Sequence, residues 1–343
     1  MKRIYSLDFL KLYFAYVVAF FHFGTDIPPG TTVAVQVFFI VSGFFLGKKY
    51  YARSHGDRGA SYDQWNYTVD HVKSLYPHYI LSLLVFLAYV LTRAAVHFVL
   101  APSWEKLADM AYEIYNQIPA VFLLQSAYKF HDSLNYPVWQ ISALVIASYF
   151  VYGLLCWDEK KARKLVFPAA ILMTLSILET GIDLFGNFGP FYIPLLRAFA
   201  PLCVGVLTYY FTMLPAFEKW KQKKIRFNLV SVLSLLGIIV YADHAAIFMI
   251  TTPVLLLACY DETSWINAVL NKKAFRNFGN FSYAIYLNHA LIARVVEAVL
   301  MPRLSLARWQ ENLLYFVLLT VYSVVTLTLV ETWKKRKIAA AST

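Results

Sequence analysis

Apolar runs of about 20 residues recur along the whole chain, and a helix of that length just crosses a hydrocarbon core about 30 Å thick. Inside hydrocarbon the backbone has no water to bond to, so each run has to satisfy its N–H and C=O groups within its own helix. Only 15% of the residues are charged and 59% are hydrophobic, where an average soluble domain is about 25% charged. Soluble, fibrous and disordered classes are thereby excluded. Ten candidate spans follow, at 7–24, 31–47, 78–100, 137–157, 165–180, 190–212, 227–242, 245–260, 281–300 and 311–331. The expected fold is an all-α polytopic membrane bundle of about ten transmembrane helices.

A net charge of +11 would point to nucleic acid in a soluble chain. Here the distribution matters more than the sum. With a cytoplasmic N-terminus, most of the 31 Lys and Arg residues fall in inner segments: Lys2 and Arg3, 48–77, 158–164, 213–226, 261–280 and Lys334 to Lys337. The outer segments then hold only Lys106, Lys129, Arg303 and Arg308. That asymmetry is the positive-inside pattern, so both termini are expected in the cytoplasm and the basic balance reports topology. No nucleic-acid motif is present. The first span follows Lys2 and Arg3 as a signal peptide would, but Phe21 to Asp26 offers no small-residue cleavage site, so the span is read as retained. Cys156, Cys203 and Cys259 sit in apolar spans without metal or redox spacing and read as buried small hydrophobes.

No segment between spans is long enough for a separate soluble domain, and the whole of 1–343 reads as one membrane domain. The longest two are 48–77, read as a cytoplasmic loop around Arg53 to Gly59, and 101–136 outside. The latter opens with an amphipathic stretch in which Trp104, Leu107, Ala108, Ala111 and Tyr115 share one helical face, expected to lie on the outer membrane surface. No internal repeat is present, which counts against the commonest transporter architectures.

Function must therefore come from polar residues within the bundle. An ionisable side chain at bilayer depth costs at least about 2.5 kcal/mol, so each one calls for an explanation. Lys11 and His22 are eleven residues apart, three helical turns plus about 20°, and so share a face about 16 Å apart along the axis. Asp8, one turn before Lys11, is placed to pair with it. The bland alternative is that Lys11 snorkels to the inner headgroups and His22 rests at the outer interface. Arg197 and Arg294 lie near the depth of His22, Ser42 lies near mid-span, and His289 lies deeper toward the cytoplasm with Asn288, Tyr286, Tyr283 and Ser282. A polar path across the bilayer accounts for all of them. Arg93 and His97 sit near an outer end, where snorkelling suffices. Glu179 and Asp183 at the outer mouth of the fifth span could orient an arginine or bind an acceptor, although solvated carboxylates are commoner.

The order of motifs resembles the acyltransferase-3 family of bacterial integral-membrane O-acyltransferases. The resemblance runs from Arg3 to about Glu331: Arg3-Ile4-Tyr5-Ser6-Leu7-Asp8-Phe9-Leu10-Lys11 leading to His22, then Phe38-Phe39-Ile40-Val41-Ser42-Gly43-Phe44-Phe45-Leu46. Lys73-Ser74-Leu75-Tyr76-Pro77, Asn135-Tyr136-Pro137-Val138-Trp139-Gln140-Ile141-Ser142, Arg197 followed by Gly205, and Phe281 to His289 complete it. Lys11 stands where the family usually has an arginine, which keeps the charge and loses the planar fork.

The resemblance implies transfer of an acyl group, usually acetyl, from cytoplasmic acyl-coenzyme A to a hydroxyl of a cell-envelope or exported glycan, at a bacterial cytoplasmic membrane. His22 is then the candidate general base, with Ser42, Arg197 and Tyr76 as candidates for the oxyanion. Lys11, Lys73 and Tyr76 are expected at the donor, Asn135, Trp139, Tyr283 and His289 at the acceptor, and no metal is required. Transfer is expected to be direct, in a ternary complex, rather than through a covalent acyl-enzyme. A second reading from a different class is a non-enzymatic permease or amino-acid-binding membrane module, since the bundle also resembles the membrane part of some serine-racemase-like resistance proteins.

Overall fold

Polar capping residues, lying outside the apolar runs, set several helix starts. The Asp63 side chain accepts from Asn66 N at 3.0 Å and opens a 37-residue helix, and Ser264 accepts from Asn267 N at 3.0 Å to open a short one. The computed structural model describes residues 3–25, 31–54, 63–127, 134–179, 186–188, 191–240 and 245–341. Within them run α1 (Tyr5–His22), α2 (Thr31–Ser54), α3 (Gln64–Leu100), α4 (Trp104–Tyr115), α5 (Ile118–Val121), α6 (Trp139–Lys161) and α7 (Phe167–Glu179). They are followed by α8 (Ile193–Thr212), α9 (Pro215–Gln222), α10 (Lys224–Val240), α11 (Ala245–Tyr260), α12 (Trp265–Leu270), α13 (Phe278–Val295) and α14 (Arg308–Ala341). A two-residue antiparallel ladder, Asn187–Phe188 with Phe191–Tyr192, leads into α8.

Five helical runs among the described residues are long and apolar enough to cross a membrane: Gln64–Leu100, Tyr136–Ile177, Ile193–Thr212, Lys273–Arg303 and Arg308–Lys337. Ala246–Tyr260 is a shorter apolar helix. Hydropathy ends the second expected span too early and starts the third too late. The 48–77 segment, read as a loop, consists largely of the last turns of α2 and the first turns of α3, polar helix that carries no apolar signal; Arg58 and the rest of 55–62 lie outside the described residues. Within 136–177, Asp158 leaves helical geometry (φ −157°, ψ 92°), and α6 and α7 on either side both pack on α8.

Backbone contact at small residues holds the bundle where hydrophobic driving force between helices is weak. A Cβ at Gly43 of α2 would lie 2.1 Å from the Leu202 carbonyl oxygen of α8, and one at Gly205 of α8 would lie 2.1 Å from the Ile40 carbonyl oxygen of α2. The two glycines thus let the helices touch, and Phe39, Leu46, Ala198, Leu202, Cys203 and Val206 close around the crossing. At one end of the bundle Gly279 of α13 packs beside Asp8 and Arg3, and Asn280 donates to Glu331 Oε1 of α14 at 3.2 Å. The first turn of α1 and the last turns of α14 therefore share that end.

One packing expectation needs correction. Cys203 and Cys259 are buried, but Cys156 is exposed, on the outward side of α6 beside the exposed Trp157. The 101–136 segment is only partly superficial. α4 buries none of its residues, whereas Gln117, Ala120, Leu123, Gln125 and Ser126 are buried, with Ser126 N donating to Ser142 Oγ at 3.0 Å and Tyr79 donating to the Ala120 carbonyl at 2.6 Å.

Candidate functional site

α1 and α13 meet along a seam where the fully buried Ala15 and Ala19 face Ile285, Ile292 and Ala293. His22 lies three residues beyond Ala19 and His289 four beyond Ile285, so helical spacing carries both imidazoles onto the seam. Their rings stack, with centroids 5.1 Å apart and planes 24° from parallel. Just beyond His22, Gly24 adopts φ 67° and ends α1, and Arg308 donates to the Phe23 and Gly24 carbonyls at 3.0 and 2.6 Å. The Tyr315 hydroxyl of α14 bridges the carbonyls of Ala19 and His289 at 3.0 and 3.2 Å, locking the two backbones together at this level.

His289 is fully buried, and its Nδ1 lies 2.5 Å from the Tyr286 carbonyl. A carbonyl only accepts, so Nδ1 carries the proton and Nε2 presents a bare lone pair, which has no partner among the described residues. Sequence depth placed His289 below His22. The backbones keep that order, since Gly279 packs beside Asp8 and the Tyr315 hydroxyl ties the His289 carbonyl to that of Ala19, three residues before His22; the side chains close the difference and the rings stack.

The segment Asn135–Gln140 links this pair to everything else. The Tyr136 ring meets the His22 ring edge-on at 4.9 Å, and the Pro137 carbonyl accepts from the Tyr286 hydroxyl. Trp139 lies under the Arg197 guanidinium, 5.2 Å from ring centroid to Cζ, with Arg197 only 3% exposed. Gln140 reaches a cavity of about 460 Å³ at the end of the bundle shared by the two terminal helices. Lys11, Ser42, Tyr283 and Tyr286 line that cavity, together with His71, Ser74 and His78 of α3, and Glu331 and Lys334 of α14. Tyr286 therefore stands between the cavity and the histidine pair.

Polar atoms along this route are left without protein partners. Gln140 Oε1, His71 Nδ1, both nitrogens of His78 and Nε2 of His289 are buried and unbonded among the described residues. An unpaired buried polar group costs about 1–3 kcal/mol, so such a concentration marks a place for a polar ligand or water.

The site residues expected from sequence fall into three groups and some outliers. His22 and His289 form the stacked pair, Lys11, Ser42 and Tyr283 line the cavity, and Arg197 rests on Trp139. The Lys11 ammonium lies 4.9 Å over the Phe45 ring, and Asp8 pairs with Arg3 at 2.5 Å, not with Lys11 as helical spacing had suggested. The cavity does not include Lys73, which is exposed, nor Tyr76, whose hydroxyl donates to the Val121 carbonyl at 3.0 Å. Asn135 is a clamp: its amide donates to Ser82 Oγ and to the Leu287 carbonyl, both at 2.8 Å. Arg93, His97 and Arg294 line a separate cavity against α4, and Asp183 lies outside the described residues. Sequence reasoning missed His71, Ser74 and His78. Their spacing of three and seven residues is a helical stripe that crosses a boundary of the sequence reading: His71 and Ser74 fall in the segment read as a loop and His78 opens the third expected span.

A family model described as an acyltransferase domain matches residues 4–331, nearly the whole chain. No curated protein and no solved structure matches it.

Proposed function

The chain belongs to the acyltransferase-3 family, and from that premise we propose that this membrane acyltransferase moves an acyl group, acetyl in the first instance, from cytoplasmic acyl-coenzyme A to a hydroxyl of an envelope or exported glycan. The bundle would cross a bacterial cytoplasmic membrane about ten times with both termini inside. One observation carries the reading: a cavity lined by Lys11 and Ser42 ends at Tyr286, whose neighbour one turn on, His289, stacks on His22. A donor entering at the terminal end and an acceptor arriving from the opposite end would meet at the histidines.

Coenzyme A is polyanionic, and Lys11 and Lys334 supply cations at the cavity. Among the described residues the salt bridge of Asp8 goes to Arg3, and Lys11 is the cation assigned to phosphate. The acceptor hydroxyl loses its proton to His22 as its oxygen attacks the thioester carbon. The C–S bond then breaks, and the departing thiolate takes the proton held by His22. A positioned base of this kind contributes about 10²–10⁴ in rate. The C-terminal carbonyls of α1 put the negative end of the helix dipole beside the ring that takes up the proton. Ser42 and Arg197 are the donors assigned to the oxyanion, and Trp139 offers an aromatic face to a sugar. Transfer is direct, within a ternary complex.

The test is sidedness. In sealed vesicles, labelled acetyl-coenzyme A supplied only to the face carrying the termini should label glycan, and supplied only to the other face should not. Equal labelling from both faces, or none from either, would refute the reading.

A further inference from the structure

We infer that the α3 stripe His71–Ser74–His78 is a recognition strip for an amide-bearing chain, and that in this cavity the chain is the pantetheine arm of the donor. The inference rests on the donor reading above. The three residues recur at helical spacing on one side of α3 and all line the cavity that Lys11 enters from α1 and Lys334 from α14. Their rings are held from behind: His71 against Tyr67 at 5.8 Å, and His78 edge-on to Tyr283 at 5.9 Å, with Tyr283 itself tied to the Leu75 carbonyl at 3.3 Å. Yet both nitrogens of His78 and Nδ1 of His71 are buried with no partner among the described residues.

Chemistry separates what each wall can hold. A neutral imidazole offers one N–H donor and one bare nitrogen acceptor, which is the complement of an amide, with its C=O acceptor and N–H donor. A lysine ammonium offers donors alone and so matches phosphate oxygens. The cavity thus has an amide-matching wall on α3 and phosphate-matching cations on α1 and α14. Pantetheine carries two amides between the phosphates and the thioester, so a donor held by its phosphates with its thioester at Tyr286 would lay those amides within the cavity that the α3 stripe lines. The N-acyl amide of an acceptor sugar shares this chemistry and is distinguished in the test.

Equilibrium binding of four probes to the purified full chain decides it: coenzyme A, pantetheine, adenosine 3′,5′-bisphosphate and N-acetylglucosamine. His78→Phe keeps the ring contact with Tyr283 and removes both hydrogen-bonding atoms. It should weaken coenzyme A and pantetheine about tenfold and leave the bisphosphate unchanged. Lys11→Met should do the reverse for pantetheine and the bisphosphate. His78→Asn, which retains one donor and one acceptor, should restore most of the loss and so separates lost recognition from lost folding. The inference is overturned if His78→Phe leaves coenzyme A and pantetheine unaffected, if it weakens the bisphosphate equally, or if N-acetylglucosamine alone responds. If wild type binds coenzyme A and His78→Phe binds it equally, the donor reading survives and the strip does not. If wild type binds no coenzyme A, both fall.

Discussion

Gly43→Ala would place a methyl carbon 2.1 Å from the Leu202 carbonyl oxygen and 2.8 Å from Leu202 C and Cα. Carbon contacts are comfortable only from about 3.5 Å, so α2 and α8 would have to part by roughly 1 Å, and a gap of that size forfeits up to about half of each dispersion contact across it. The loss spreads over Phe39, Leu202, Cys203 and Val206, all fully buried at the crossing. Overpacking of this kind costs about 1–3 kcal/mol, against about 0.5–1 kcal/mol gained when alanine replaces glycine within a helix. The net effect is destabilising. Gly237 is the internal control, since a Cβ there would meet Thr251 Cγ2 at an ordinary 3.6 Å, leaving only the helix-forming gain. Thermal unfolding of the purified protein in detergent should show Gly43→Ala lowered by about 1–3 °C and Gly237→Ala unchanged or raised. Acyl transfer should fall with the first, because Ser42 adjoins the displaced contact. A Gly43→Ala protein that melts at or above wild type would refute the close-contact account.

Other outcomes follow from the same geometry. Asn135→Leu removes two 2.8 Å hydrogen bonds joining α3 and α13 and should lower thermal stability by about 2–3 kcal/mol even without substrate, measured by the same unfolding assay. Tyr286→Phe releases the hydroxyl from the Pro137 carbonyl and loosens the segment against His22; kcat should fall about tenfold with little change in the donor KM. Lys11→Ala should raise the donor KM by about tenfold at low salt, with the difference shrinking as ionic strength rises. An unchanged KM would remove Lys11 from the donor site.

Much of this site was written into residue spacing. Lys11 and His22 on one face, Ser42 at mid-span and the tyrosines before His289 all reach the cavity or the stacked pair, because helical periodicity fixes direction within a span. Gly43 and Gly205 stood in motifs carrying the family resemblance, and the α2/α8 backbone contact is the physical reason glycine is needed there. What periodicity does not carry is the offset between helices. The level at which α13 meets α1 decides that His289 stacks on His22, and no property of either helix alone contains it. Apolar signal also fails where α3 continues before residue 78 as polar helix, which hid His71 and Ser74. Lys73 and Tyr76 show the converse: a recognisable motif whose side chains here face the surface and the Val121 carbonyl.

The most direct test of the central claim is transfer of labelled acetyl from acetyl-coenzyme A to glycan by the purified protein in liposomes, comparing wild type with His22→Ala at equal folded yield and equal donor binding. The account predicts that donor binding persists while transfer falls by about 10²–10⁴. Transfer by His22→Ala within a few-fold of wild type would contradict it, and the proton would have to be taken elsewhere.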